Sequence, residues 1–128
     1  MSERVLDASA LLAVLLGERG SDFVLDLLPG AVIGAVNLAE VVSKLQERGF
    51  PDKEIDEGVA DLGVPVVPFD ETQGVAAGKL RLRTRSAGLS LGDRACLALA
   101  SARRVPAVTM DRSWGTVDAG AEVIVARD

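Results

Sequence analysis

The chain has 128 residues, 48% of them apolar and 26% charged, and its net charge is −5. This length and balance predict a single compact domain over residues 1–128 and exclude a disordered chain. The chain contains no His and one Cys, which excludes Ser-His-Asp triads, Cys-His dyads and zinc held by Cys or His. Any catalysis must therefore use carboxylates, hydroxyls, Lys or Arg.

The lone cysteine, Cys96, has no partner for a disulfide within the chain, so we interpret it as a core residue in a reducing, cytoplasmic compartment. The apolar segment 8–16 is too short to span a bilayer, and it follows Glu3 and Asp7 rather than the basic start of a signal peptide. The sequence thus predicts neither secretion nor membrane insertion.

The acidic net charge is unsuited to holding nucleic acid by bulk electrostatics, so any such contact must be local. Basic residues take alternate positions in one run, and two more arginines follow further along: Lys79, Arg81, Arg83, Arg85, Arg103 and Arg104. They form either a solvated helix face or a phosphate-contacting surface, and the pattern favours neither.

Short β-rich apolar runs alternate with longer helical segments, which is the pattern of βαβ units. We therefore predict an α/β fold: a doubly wound, mainly parallel sheet of about five strands flanked by helices. The predicted strands lie near residues 4–6, 31–36, 64–68, 107–110 and 123–125, with helices filling the intervals.

Helix starts are indicated by capping pairs, in which a cap residue precedes an acid or amide by three positions. These pairs are Asn37 with Glu40, Asp70 with Gln73, and Ser90 with Asp93, and Pro51 begins a further helix through Leu62. Helix ends are indicated by Gly17, Gly49, Gly63 and Gly88.

Two segments, 8–16 and 95–102, are more apolar than a surface helix requires. They either pack centrally or are covered by a second subunit or a partner protein, and we expect the latter. In that hypothesis a small partner covers Leu11, Leu12 and Leu15 and reaches a basic side chain into a nearby acidic crevice. Burial in the chain's own core is the alternative.

The acidic crevice is predicted from four residues at one end of the sheet. Ligands of a doubly wound sheet bind beyond the carboxyl ends of the strands, and the acids at that end are Asp7, Glu40, Asp93 and Asp111. Each could instead cap a helix or complete a capping box. Together they indicate a functional site.

Converging carboxylates repel one another, by roughly 3 kcal/mol for a pair about 5 Å apart at an effective dielectric of about 20. Either raised pKa values or a bound divalent cation relieves that repulsion. A site of oxygen ligands without His or Cys suits Mg²⁺ or Mn²⁺. Such a cation supports hydrolysis of a phosphodiester.

At these residues the sequence resembles PIN-domain nucleases, and among them the VapC toxins of toxin–antitoxin modules. The motifs that carry the resemblance are VLDASALL at 5–12, NLAEV at 37–41, LSLGDRACLALA at 89–100 and VTMDRSW at 108–114. The third and fourth motifs are the specific ones. The resemblance spans nearly the whole chain in motif order and spacing.

The resemblance implies a Mg²⁺-dependent ribonuclease that is held inactive by a cognate antitoxin and is usually a homodimer. It implies that the four acids form the catalytic metal site. It also places the hydroxyls of Ser9 and Thr109 near the metal and its waters, although a local cap or turn bond is the alternative for both. Many relatives have Thr or Ser where this chain has Asn37, and Asn caps equally well.

Two arginines directly follow site acids. Arg94 and Arg112 either donate to a substrate phosphate or pair structurally with Asp93 and Asp111, and we favour the pairing. Trp114 is interpreted as a core anchor rather than a platform for a base.

Two other functions fit the sequence less well than a nuclease does. A phospho-receiver domain also places acids around Mg²⁺ in a parallel sheet, but here residues 66–70 lead directly into a helix and no Lys follows Lys79. A PIN-fold module that only binds RNA or protein usually lacks some of the acids, and none is lacking here.

Overall fold

A parallel five-stranded sheet forms the centre of the computed structural model, which describes residues 3–127. The strand order is β3-β2-β1-β4-β5 and every neighbouring pair is parallel. The predicted α/β class is therefore confirmed. The strands are β1 (Arg4–Leu6), β2 (Ala31–Gly34), β3 (Val66–Val67), β4 (Ala107–Thr109) and β5 (Val123–Val125).

The strand order reverses at β1, because the chain runs outward from β1 to β3 and then returns to place β4 on the other side of β1. Val5 is paired with Val32 on one side and with Ala107 on the other. A crevice opens at such a reversal, beyond the carboxyl ends of the two central strands. Asp7 follows β1 and Asp111 lies two residues after β4, so both sit at this edge.

Seven α-helices cover the sheet within residues 3–127, and a 3-10 helix at Arg112–Thr116 follows β4. Their bounds are α1 (Ala8–Leu16), α2 (Ser21–Leu27), α3 (Ala35–Glu47), α4 (Asp52–Leu62), α5 (Glu71–Lys79), α6 (Arg81–Thr84) and α7 (Leu91–Arg103). None of these helices is long and apolar enough to cross a membrane.

Most predicted helix starts are confirmed. Asp70 accepts a bond from the backbone N–H of Gln73, and Ser90 and Asp93 form a complete capping box. The start predicted at Asn37 is wrong. Helix α3 begins at Ala35, directly after β2, with Gly34 as its N-cap. The strand turns into the helix without a loop, so Asn37 becomes the third helical residue.

The glycines predicted at helix ends mostly close helices. Gly17 and Gly63 follow α1 and α4 with φ of 63° and 62°, a left-handed conformation that glycine adopts at little cost. Gly49 comes one residue after the Arg48 C-cap of α3. Gly88 lies in the turn between α6 and α7 rather than at a helix end.

The core lies on both faces of the sheet. On one face α7 is buried from Ala95 to Ala100, which explains the apolar run there, and Cys96 and Trp114 are fully buried as predicted. On the other face α1 and α3 pack together. Leu11 is 2% exposed, so its predicted contact with a partner is wrong. Leu12 and Leu15 are partly buried against the same cluster.

Candidate active site at the carboxyl edge of the sheet

Asp7 is the most buried acid of the site, with 4% of its surface exposed. It is the N-cap of α1, and its Oδ1 accepts bonds from the Ala10 backbone N–H at 2.8 Å and from Ser9 Oγ at 2.7 Å. Its Oδ2 accepts from Thr109 Oγ1 at 2.5 Å. Burial raises the pKa of Asp7 to about 6 in spite of these three bonds, and the charge of Asp93 contributes in the same direction.

The two hydroxyls tie the end of β1 to the end of β4. Thr109 Oγ1 also accepts from the backbone N–H of Asp111 at 3.0 Å, and Ser9 Oγ accepts from the backbone N–H of Met110 at 2.9 Å. Ser9 and Thr109 were predicted near a metal, and the structure shows that both donate to Asp7. They therefore hold the Asp7 carboxylate in one orientation at the crevice.

Glu40 lies on α3, and its carboxylate rests against the backbone of α7. A Cβ added at Gly92 would lie 2.4 Å from both carboxylate oxygens, so only glycine permits this approach. The Asn37 Nδ2 atom donates to Glu40 Oε1 and to the Gly92 carbonyl, each at 3.0 Å. Burial raises the pKa of Glu40, and the charge of Asp93 raises it further.

The charge of Asp93 raises the pKa of both Asp7 and Glu40, and Asp93 also belongs to the capping box of α7. Its Oδ2 accepts from the Ser90 backbone N–H at 2.9 Å. Beyond burial, which is the main cause, the charges of Asp7, Asp93 and Glu40 all raise the pKa of the Cys96 thiol. The charges of three of the four predicted acids thus reach one buried residue of α7.

Asp111 lies at the same edge but is turned to its own loop. It is exposed and accepts from Ser113 N at 2.9 Å and from Ser113 Oγ at 2.8 Å, as the N-cap of the 3-10 helix. Within residues 3–127 no three Asp, Glu or Cys side chains group tightly enough to hold a metal ion. The four acids supply only carboxylate oxygens, the donor type that Mg²⁺ and Mn²⁺ prefer.

The family model of the PIN domain matches residues 4–120. The chain belongs to the PIN domain family. No curated protein matches the sequence. The phospho-receiver alternative is therefore wrong, and the resemblance to PIN-domain proteins is confirmed.

Solved toxin–antitoxin proteins have the same fold as this PIN domain. Mycobacterium tuberculosis VapC20, a sarcin-ricin loop cleaving toxin, superposes with a TM-score of 0.77 at 16% identity, over 98% of this chain and 100% of VapC20. A Klebsiella pneumoniae toxin–antitoxin complex gives 0.76 at 16% identity, over 98% and 99% of the two chains. DNA-bound VapBC from Salmonella typhimurium gives 0.76 at 15% identity, over 97% and 98%.

The two predicted substrate arginines of this PIN domain take different positions. Arg94 is half-buried and donates to the Ala77 carbonyl at 3.2 Å, so it pairs with a backbone oxygen rather than with Asp93. Arg112 is exposed and does not pair with Asp111, whose carboxylate accepts from Ser113. The pairing of these arginines with their preceding acids, which the sequence analysis favoured over a phosphate contact, is therefore wrong.

Two residues of the site were not recognised as such from the sequence. Asn37 was interpreted as a cap but bridges Glu40 to α7, and Gly92 leaves room for the Glu40 carboxylate. The spacing of three residues between Asn37 and Glu40 places them on one face of a helix. With the helix start placed at Ala35, this spacing would have predicted the contact between Asn37 and Glu40.

Proposed function

We propose that this PIN domain is a Mg²⁺- or Mn²⁺-dependent endoribonuclease and the toxin of a toxin–antitoxin pair. The observation that carries the proposal is the position of two acids. Asp7 follows β1 at the reversal of the strand order, and the Glu40 carboxylate packs against Gly92, directly beside Asp93. The description of VapC20 as a toxin that cleaves the sarcin-ricin loop supports RNA as the substrate.

The four acids are the residues that would hold the cation: Asp7, Glu40, Asp93 and Asp111. When bound, the cation lowers the pKa of a nucleophilic water and offsets the negative charge that develops on the phosphate. The raised pKa values of Asp7 and Glu40 show that negative charge is costly there, and a cation would relieve this cost.

The remaining residues of the site orient the acids and the substrate. Ser9 and Thr109 hold the Asp7 carboxylate, and Asn37 holds the Glu40 carboxylate against α7. These bonds are in place in the protein alone, so the acids need little reorganisation when substrate arrives. Arg112 is exposed at the crevice edge, where it can donate to a phosphate of the RNA.

The proposal includes a cognate antitoxin, a homodimer and action on RNA in the cytoplasm. The solved relatives described as toxin–antitoxin complexes cover nearly this whole chain. Large apolar side chains of α5 and α7 support a second copy, because Val75 and Leu91 are 52% and 54% exposed. Light scattering of the purified protein, with and without its co-expressed antitoxin, measures both assemblies.

Cleavage of total cellular RNA, with mapping of the new ends, tests the nuclease. We expect Mg²⁺-dependent cleavage that EDTA abolishes and that Asp93→Asn removes. Asp70→Asn is the matched control, because Asp70 also caps a helix through one carboxylate bond but belongs to no acidic cluster among the described residues. Cleavage that persists in EDTA contradicts the mechanism, and an inert wild type supports the alternative of a PIN fold that only binds RNA or protein.

Titration calorimetry tests the metal separately from the substrate. We expect Mg²⁺ or Mn²⁺ to bind the wild type and the Asp70→Asn control alike, and to bind Asp93→Asn more weakly. Equal metal affinity in Asp93→Asn would show that Asp93 is only the helix cap of α7.

A further inference from the structure

A second cavity, of about 330 Å³, lies between the start of α2 and the end of β5. Three arginines line it, Arg19, Arg112 and Arg127, together with the aromatic ring of Phe23. This concentration of positive charge stands out in a chain with a net charge of −5. A cavity with several guanidinium groups suits a ligand with more than one negative charge.

The basic cavity borders on the edge of the sheet where Asp111 lies. A neighbouring opening of about 420 Å³ is lined by Ser9 and Asp111 and shares Arg112 and Arg127 with the basic cavity. Ser9 in turn donates to Asp7. A ligand that occupies this opening beside Ser9 and Asp111 therefore also reaches Arg112 and Arg127.

The guanidinium groups of Arg112 and Arg127 have donors to spare. The side chain of Arg112 makes no hydrogen bond or ion pair with the part of the chain that the structure describes. Arg127 donates one bond, to the Met110 carbonyl at 3.3 Å, out of the five that a guanidinium can form. The carboxylate beside them, Asp111, already accepts from Ser113 N and Oγ.

Gly20 allows two segments that line the cavity to pack closely against each other. Its φ is +93°, and a Cβ at this position would lie 2.6 Å from both the Ala126 carbonyl oxygen and Met110 Cε. The backbone before α2 is thus packed directly against the end of β5. The cavity is a product of this close packing rather than a groove between loosely placed loops.

Phe23 adds an aromatic surface at the cavity. Its side chain is 52% exposed, although large apolar side chains are usually covered. Exposed aromatic rings beside basic residues are the stacking platforms of single-stranded nucleic-acid sites. Such platforms accept any base, because every base has a π face.

We propose that the arginine cavity binds the RNA strand next to the cleaved bond, with Arg112 and Arg127 on its phosphates and one base stacked on Phe23. This assignment rests on the proposed function, since it makes the cavity part of the same substrate path. Carboxylates of a protein partner also pair with guanidinium groups. Single-stranded RNA fits better because it supplies both a repeating anion that spans crevice and cavity and a planar ring for Phe23.

Binding of a short, fluorescently labelled single-stranded RNA of mixed sequence, measured by anisotropy in EDTA over a range of salt concentrations, tests the assignment. We expect Arg112→Ala and Arg127→Ala each to weaken binding about fivefold and to reduce the slope of log K against log salt by about 0.7. We expect Phe23→Ala to weaken binding about tenfold without changing that slope.

Matched controls are available among residues that line neither opening. Arg48→Ala removes an exposed arginine at the C-terminal end of α3, and Phe50→Ala removes a ring that is 38% exposed. Both controls should bind the RNA as the wild type does. Circular dichroism of each variant establishes that it is folded, as expected for side chains on the surface.

The outcomes separate this assignment from the nuclease itself. If Arg112→Ala, Arg127→Ala and Phe23→Ala all bind RNA with wild-type affinity and salt slope, the assignment is overturned, even if the protein cleaves RNA. A wild type that never cleaves but shows the expected losses of binding keeps the assignment and refutes the nuclease. Variants that bind RNA normally but lose a co-expressed protein partner overturn it in favour of a protein ligand.

Discussion

Replacing Asp7 by Asn should stabilise the metal-free protein at neutral and alkaline pH and lose that advantage in acid. Asn keeps the shape of the side chain, and its amide oxygen can still accept from Ala10 N and Ser9 Oγ as Asp7 does. Its amide group can donate to Thr109 Oγ1, whose own proton is then available to Ser9 Oγ at 3.4 Å. The substitution therefore removes a buried charge and leaves the local bonds satisfiable.

The magnitude follows from the pKa of Asp7, which burial raises from an ordinary value of 3.8 to about 6. A raised pKa means that the folded state favours the protonated carboxyl. Its contribution to stability is fully present below about pH 4 and is lost as the pH rises through about 6. The difference between the two values corresponds to about 3 kcal/mol.

The assay is urea unfolding of wild type and Asp7→Asn in EDTA, from about pH 4 to about pH 8. Comparing the two proteins at each pH cancels the titration of all other groups. We expect the free energy of unfolding of Asp7→Asn, relative to wild type, to rise by about 2–3 kcal/mol across this range. A difference that stays flat within about 1 kcal/mol would refute the raised pKa of Asp7 and, with it, the cost of negative charge at this edge of the sheet.

Other substitutions test the remaining contacts of the site and core. Gly92→Ala should fold but lose RNA cleavage, because its Cβ displaces the Glu40 carboxylate, whereas Gly78→Ala, with open space around it in α5, should keep activity and gain about 0.5–1 kcal/mol. Asn37→Ala should cost about 1–3 kcal/mol, measured by urea unfolding, because the Gly92 carbonyl loses its side-chain donor. Leu97→Ala, at a fully buried position, should cost about 2–5 kcal/mol and lower the melting temperature in calorimetry. Mg²⁺ should raise the melting temperature of wild type at neutral pH but not that of Asp7→Asn, and equal increases would contradict a metal site at Asp7.

Local sequence patterns were sufficient to predict the fold class, the five strands and most helix starts. A capping box such as Ser90 with Asp93 works within four residues, so its sequence signature already contains its partners. The same locality explains the error at Asn37, where the spacing to Glu40 has the form of a cap. A helix that begins directly at the end of β2 leaves no room for one.

Motif spacing also placed the four acids at one edge of the sheet, because the carboxyl ends of parallel strands meet there. Which acid is buried was decided only by the tertiary structure. Asp7 and Asp111 both cap helices after central strands, yet Asp7 is enclosed by Thr109 and α1 while Asp111 is exposed. Burial depends on what other parts of the chain pack against a residue, and a capping pattern contains no information about that.

For the arginines and the apolar helix α1, too, the sequence indicates the type of side chain and the tertiary structure decides its contacts. Composition indicates that Leu11 is apolar and Arg94 is charged, but the direction of each side chain depends on its neighbours in space. Leu11 is buried in the core, and Arg94 donates to the carbonyl of Ala77 rather than pairing with Asp93. Arg19 and Arg127 are 108 positions apart in the chain, so only the packing of α2 on the end of β5 brings them to one cavity.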